Sequence, residues 1–135
     1  MSEYKLPDYL MVSPTYNDEV IGKSGEIGLL IAGYELEDTF FLRFEDGQLG
    51  DYPAQALIAL RQPREIYDHL EWNSQELQKA DFRALHNIAI LLEYGNLSSQ
   101  KKAFMLAKAN PVILEAGTIR LNEALGDIYY RRPTR

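Results

Sequence analysis

Gly22-Lys23-Ser24 has the residue types that end a phosphate-binding loop: a glycine, a lysine for phosphate oxygens and a hydroxyl for a metal ion. The spacing does not support that chemistry. The motif needs a glycine five residues before Gly22, where Asn17 stands, and a helix directly after, where Gly25-Glu26-Ile27-Gly28 reads as turn and strand. Metal chemistry through imidazole is as poorly served. His69 and His86 are the two histidines, and neither has a His, Asp or Glu three or four residues further on to complete a helical ligand pair. His86 lies beside an apolar stripe and reads as a packing residue. Two acidic turns, Glu35-Glu37-Asp38 and Glu45-Asp46-Asp51, carry the hard oxygens that divalent cations prefer, but their spacing fits no EF-hand loop. No carboxylate sits inside an apolar run, where burial would raise its pKa for acid catalysis. Glu26 comes nearest, with glycines flanking the Glu26-Ile27 pair. A Gly-x-Ser-x-Gly elbow is absent, and so is cysteine, which removes thiolate nucleophiles, thiolate metal sites and disulfides together. No catalytic residue, metal ligand or cofactor site is assigned.

What remains is recognition chemistry. Tyr34, Phe41 and Tyr52 are rings on alternating positions, suited to sheet packing or to partner contact. Trp72, the single tryptophan, stands between two halves of different pattern and is expected to fill their seam; the alternative is an exposed anchor for a partner. Lys101, Lys102 and Lys108, with Arg131, Arg132 and Arg135, make the second half locally basic.

These residues need elements to position them. Val20 to Leu60 alternates apolar runs with Gly- and Asp-containing turns, the pattern of strands joined by tight connections. Phe40, Leu42 and Phe44 share one face of a strand, with Phe41, Arg43 and Glu45 on the other. Asp46-Gly47 follows as a turn. Gly22, Gly25 and Gly28 mark sharp bends or close backbone approach. Asp8–Val12 is a first strand, Glu19–Gly22 re-enters the sheet, and Leu29, Leu30 and Ile31 in the run Glu26–Tyr34 read as buried on both faces. Gln48–Tyr52 returns after the turn, Pro53–Ala56 is one helical turn, and Leu57–Leu60 closes the sheet. Across residues 18–61, VIGKSGEIGLL, then FFLRFEDGQLGDY, then a turn and ALIAL resemble the five-strand SH3-like barrel of KOW and Tudor-type modules. The resemblance implies a binding platform. KOW modules bind RNA or RNA polymerase partners, and Tudor modules bind methylated side chains through an aromatic cage, for which Tyr34, Phe41 and Tyr52 would supply rings.

After Leu60 the period becomes helical. Pro63 suits a first turn, and Ile66 and Leu70 define a short helix through Trp72. Asn73 with Glu76 is a capping-box variant opening a helix over Ser74–Tyr94, ended by Gly95. Asn96 or Ser98 caps a third helix that Asn110-Pro111 ends, and Pro111–Leu125 reads as a fourth, stopped by Gly126. The tail Asp127–Arg135 follows, and its end is expected to be mobile.

The formal net charge is −6, unevenly spread. Residues 1–62 hold eleven acidic and four basic side chains, and residues 63–135 hold nine and ten. An acidic first half repels phosphate backbones and so disfavours nucleic acid there. The start lacks a basic segment followed by an apolar run, and no stretch approaches the roughly 18 apolar residues of a membrane helix, which points to a cytoplasmic protein with no membrane role. The expected architecture is α+β: an SH3-like barrel over residues 1–62, packed on a bundle of three or four helices over residues 63–135 as one cooperative unit. The expected function is a non-catalytic, protein-binding interaction module. Lys23, Tyr34, Phe41, Asp51 and Tyr52 are its candidate partner-binding residues. The alternatives are a nucleic-acid-associated protein using the basic helical half, and a divalent-cation-dependent enzyme using the acidic turns.

Overall fold

The computed structural model describes residues 6–131, with side chains through Gly126. Of the expected tail, residues 127–131 are the end of the last helix, and residues 132–135, its expected mobile end, lie outside the described residues. The chain forms two compact units: the segment up to Ala59 together with the segment from Ile119 onward, and Leu60–Thr118.

The first unit is built on a sheet of β1 (Tyr9–Val12), β2 (Ile27–Tyr34), β3 (Thr39–Arg43), β4 (Leu49–Tyr52), β5 (Leu57–Leu60) and β6 (Thr118–Arg120). β1 to β4 form an antiparallel meander, and β5 returns to pair with β1. The period-2 pattern of β3 sets the faces: Phe40 and Leu42 are buried while Phe41 and Arg43 point outward. The Phe44–Gln48 turn closes through a Gly47 N–H donated to the Phe44 carbonyl at 2.9 Å, and Gly47 takes the φ of +90° that this turn requires.

The expected closed five-strand barrel is not what forms. The sheet is open and six-stranded, ordered β4-β3-β2-β1-β5-β6, so β4 and β6 are its edges. The far edge of β5 meets β6, which arrives from the C-terminal part of the chain. The inner face is filled by helix α5 (Leu121–Arg131), whose Leu121 and Leu125 join Leu10, Val12, Phe40, Leu42, Phe44, Tyr52 and Leu57 in one core. A helix laid on the sheet therefore does the covering that barrel closure would have done. Three local expectations also fail. Residues 19–22 form a turn rather than a strand. A β-bulge between Leu30 and Ala32 turns Ile31 out to solvent, so the run is not buried on both faces. The expected fourth helix breaks at Gly117, where Thr118-Ile119-Arg120 becomes β6, and Gly126 lies within α5 rather than stopping a helix.

The second unit consists of α1 (Pro63–Asn73), α2 (Lys79–Tyr94), α3 (Leu97–Lys108) and α4 (Pro111–Gly117). Its core is Ile66, Leu70, Leu85, Ile88, Ala89, Ala103, Ala107 and Ile113. The capping box sits at the start of α1, where Glu65 accepts from the Gln62 N–H at 3.0 Å, and not at Asn73. Residues 74–78 are consequently non-helical, and α2 starts at Lys79. Asn96 caps α3 by accepting from the Ser99 N–H at 2.8 Å, and Gly95 ends α2 at a φ of +76°.

Candidate functional site

The five residues expected to bind a partner divide between structural and surface positions. Lys23 is only 7% exposed. Its ammonium donates to Asp46 at 2.5 Å, lies 3.8 Å from Glu26 and sits 5.5 Å from the Phe44 ring centroid. The hydrogen bond to Asp46 raises the lysine pKa, and the same bond lowers that of Asp46. Tyr52 is buried as well, and its hydroxyl donates to Asp18 at 2.6 Å. Burial, then this bond, pushes the phenol well above its usual value. Asp18 accepts in addition from the backbone N–H groups of Ile21 at 3.3 Å and Lys23 at 3.1 Å. Burial pushes the Asp18 carboxyl up, but the Tyr52 hydroxyl and the backbone donors outweigh it and hold the group below the usual carboxylate range. Lys23 and Tyr52 thus pin the 18–26 loop to the β3–β4 hairpin.

Tyr34, Phe41 and Asp51 are on the outer face. Tyr34 and Phe41 meet edge to face with centroids 5.9 Å apart, and Asp51 is the cross-strand neighbour of Phe41. Tyr52 is on the opposite face, so the three expected rings do not form a cage.

The acidic turns are engaged within the sheet unit. Asp38 accepts from the Ala54 N–H at 2.9 Å, and Asp46 holds both Lys23 and the Gln48 N–H. Among the described residues no group of three or more His, Asp or Glu side chains converges on a metal position. His86 is exposed, its ring edge-on to Tyr67 at 6.0 Å. No helix among the described residues is long and apolar enough to cross a membrane.

Trp72 overturns its expected role as a seam filler: it is 83% exposed. The reason is helical geometry. Ile66 and Leu70 put one face of α1 into the core, and Trp72 lies about 200° round the helix from Leu70. Glu65, Asp68 and Trp72 follow one another at i, i+3 and i+7 along a second stripe. That stripe lines an open groove of about 680 Å³, together with Val112, Glu115 and Ala116 of α4 and Leu77. Arg61 and His69 also line it. The Nη1 of Arg61 lies 3.6 Å from Glu65, which also caps α1, so these two charges are mutually compensated. Asp68 and Glu115 have no ion pair or hydrogen-bonding side chain among the described residues, and the groove is left with two uncompensated carboxylates around an exposed indole.

The groove offers a large apolar ring, three smaller apolar side chains (Leu77, Val112 and Ala116) and a net negative charge. Compared with protein-family models, with curated proteins and with solved structures, the chain matches none.

Proposed function

We propose that this chain is a non-catalytic protein-interaction module that docks its partner at the α1–α4 groove. The reading rests on Trp72: an indole 83% exposed at the rim of a groove, beside Leu77 and Val112. Tryptophan exposes a large apolar area to water at a cost, and it is among the residue types that dominate binding energy when a partner covers them. The docking surface therefore moves from the sheet loops, where Lys23 and Tyr52 are internal, to the helical unit. A reducing setting, the cytoplasm, belongs to the same reading, supported by the lack of cysteine in 135 residues.

The test is recovery of a partner from source-cell lysate on tagged protein, with nuclease present, comparing the natural chain with Trp72→Ala. The expected result is one protein recovered in near-stoichiometric amount by the natural chain and lost with Trp72→Ala, at an unchanged melting midpoint. Equal recovery by both forms, or recovery only without nuclease, overturns the reading.

A further inference from the structure

Helix α3 carries a surface its own unit does not use. Ala103, Phe104 and Ala107 face inward and are fully buried. On the outer side Leu97, Met105 and Leu106 are exposed, Met105 by 57%. Leu97, Lys101, Met105 and Lys108 follow at i, i+4, i+8 and i+11, with Lys102 alongside, so apolar and cationic side chains share one outward stripe roughly 16.5 Å long. The groove between α1 and α4 has the complementary composition: Trp72, Leu77 and Val112, with Asp68 and Glu115 uncompensated among the described residues.

We propose that the groove receives α3 of a second copy of this chain, so that copies associate head to tail. The inference rests on the reading of the groove as a docking surface and names its occupant. Met105 is an unbranched, polarizable side chain suited to an irregular groove and to contact with an indole. Lys102 and Lys108 can lay their methylene stems on apolar surface while their ammonium groups reach Asp68 and Glu115. A net charge of −6 makes copies repel one another at long range, so association depends on this local pairing of opposite charge. The two surfaces share no residue and lie on different helices. The contact is therefore heterologous: each copy keeps one free groove and one free α3, and assembly continues until the rotation closes a ring. One helix face in one groove is at the small end of protein interfaces, so the association is weak and concentration-dependent.

Because Trp72 is the only tryptophan, its emission reports the groove alone. The experiment follows tryptophan emission and sedimentation mass together from about 1 µM to about 1 mM protein at low salt. The expected result is a blue shift of emission in the same concentration range in which the mass rises above 15.5 kDa, both reversed by added salt. Trp72→Ala and the double variant Lys102→Glu/Lys108→Glu each stay monomeric alone, with melting midpoints close to that of the natural chain. Mixed in equal amounts they form a dimer and nothing larger, since each retains one of the two surfaces. A monomer with constant emission across the range overturns the proposal, as does an assembly that either variant alone still forms. A monomer that nevertheless recovers a foreign protein, lost with Trp72→Ala, overturns the second copy as occupant and leaves the groove as a docking site. A monomer with no Trp72-dependent partner overturns both readings.

Discussion

Asp18 is the residue on which the turns of the sheet unit converge, and its neighbours define how stability responds to pH. Its carboxylate accepts from the Tyr52 hydroxyl and from two backbone N–H groups, which outweigh the upward push of burial and hold its pKa below the usual 3.8. Asp46 is lowered by its bond to Lys23. A carboxyl lowered on folding contributes stability that is complete above the unfolded value and is lost as pH falls through the folded one. The melting midpoint should therefore fall on acidification through 3.8 and below, and less steeply in Asp18→Asn. Lys23, raised from 10.5 by Asp46, and Tyr52, raised from 10.0 by burial and Asp18, act in the opposite sense. Their contributions are complete below those values and are lost as pH rises beyond them. Tyr52→Phe should cost roughly 1 kcal/mol at neutral pH, the worth of one hydrogen bond, and should flatten both limbs of the profile. An unchanged acid limb in Asp18→Asn would show that the Asp18–Tyr52 bond is not the source.

At the scale of the element, Gly50 on β4 shows what packing adds to a strand pattern. A Cβ there would lie 2.8 Å from Ile21 Cδ1 and 2.8 Å from the ring and hydroxyl of Tyr52. The isoleucine methyl can swing aside, but the tyrosine is held by Asp18, so the strand must admit glycine at this point. Gly50→Ala should destabilise by about 1–3 kcal/mol in denaturant unfolding. Part of that cost should vanish in a Tyr52→Phe background, because both changes act on one contact; strict additivity would refute the shared origin. Strand faces and turns from Thr39 to Leu60 were legible in the sequence because alternation and the Asp46-Gly47 signal are local. The exposure of Trp72 has a local signal too, since a residue two beyond the core position Leu70 points away from the core on α1. The bulge that exposes Ile31 has none, because it depends on how β2 pairs with β3. The break of the last helix at Thr118-Ile119 left only a weak trace, two β-branched residues after Gly117. The buried role of Lys23 left none, since Asp46 lies in a different turn and the two meet only in the folded chain.

For the whole molecule, the closing of the sheet unit depends on its non-consecutive chain order. The unit begins with the N-terminal segment, leaves through β5 and is completed by the segment from Ile119 onward. Leu121 and Leu125 of α5 are buried in the same core as Phe40, Leu42 and Leu57. Local pattern in the first sixty residues predicts a self-sufficient barrel because it cannot reveal that Leu121 and Leu125, which join the inner-face core, come from the far end of the chain. Burying one leucine contributes roughly 1.5–3 kcal/mol, so losing Leu121 and Leu125 removes roughly 3–6 kcal/mol and leaves the inner face in water. Small domains have only about 5–15 kcal/mol of net stability. Residues 1–62 alone should therefore give the narrow amide dispersion of an unfolded or loosely collapsed chain. Residues 1–59 joined through a short Gly/Ser linker to residues 119–135 should give a dispersed spectrum and a cooperative melt. A dispersed, cooperatively melting 1–62 fragment would mean that α5 is an accessory to a sheet already stable by itself.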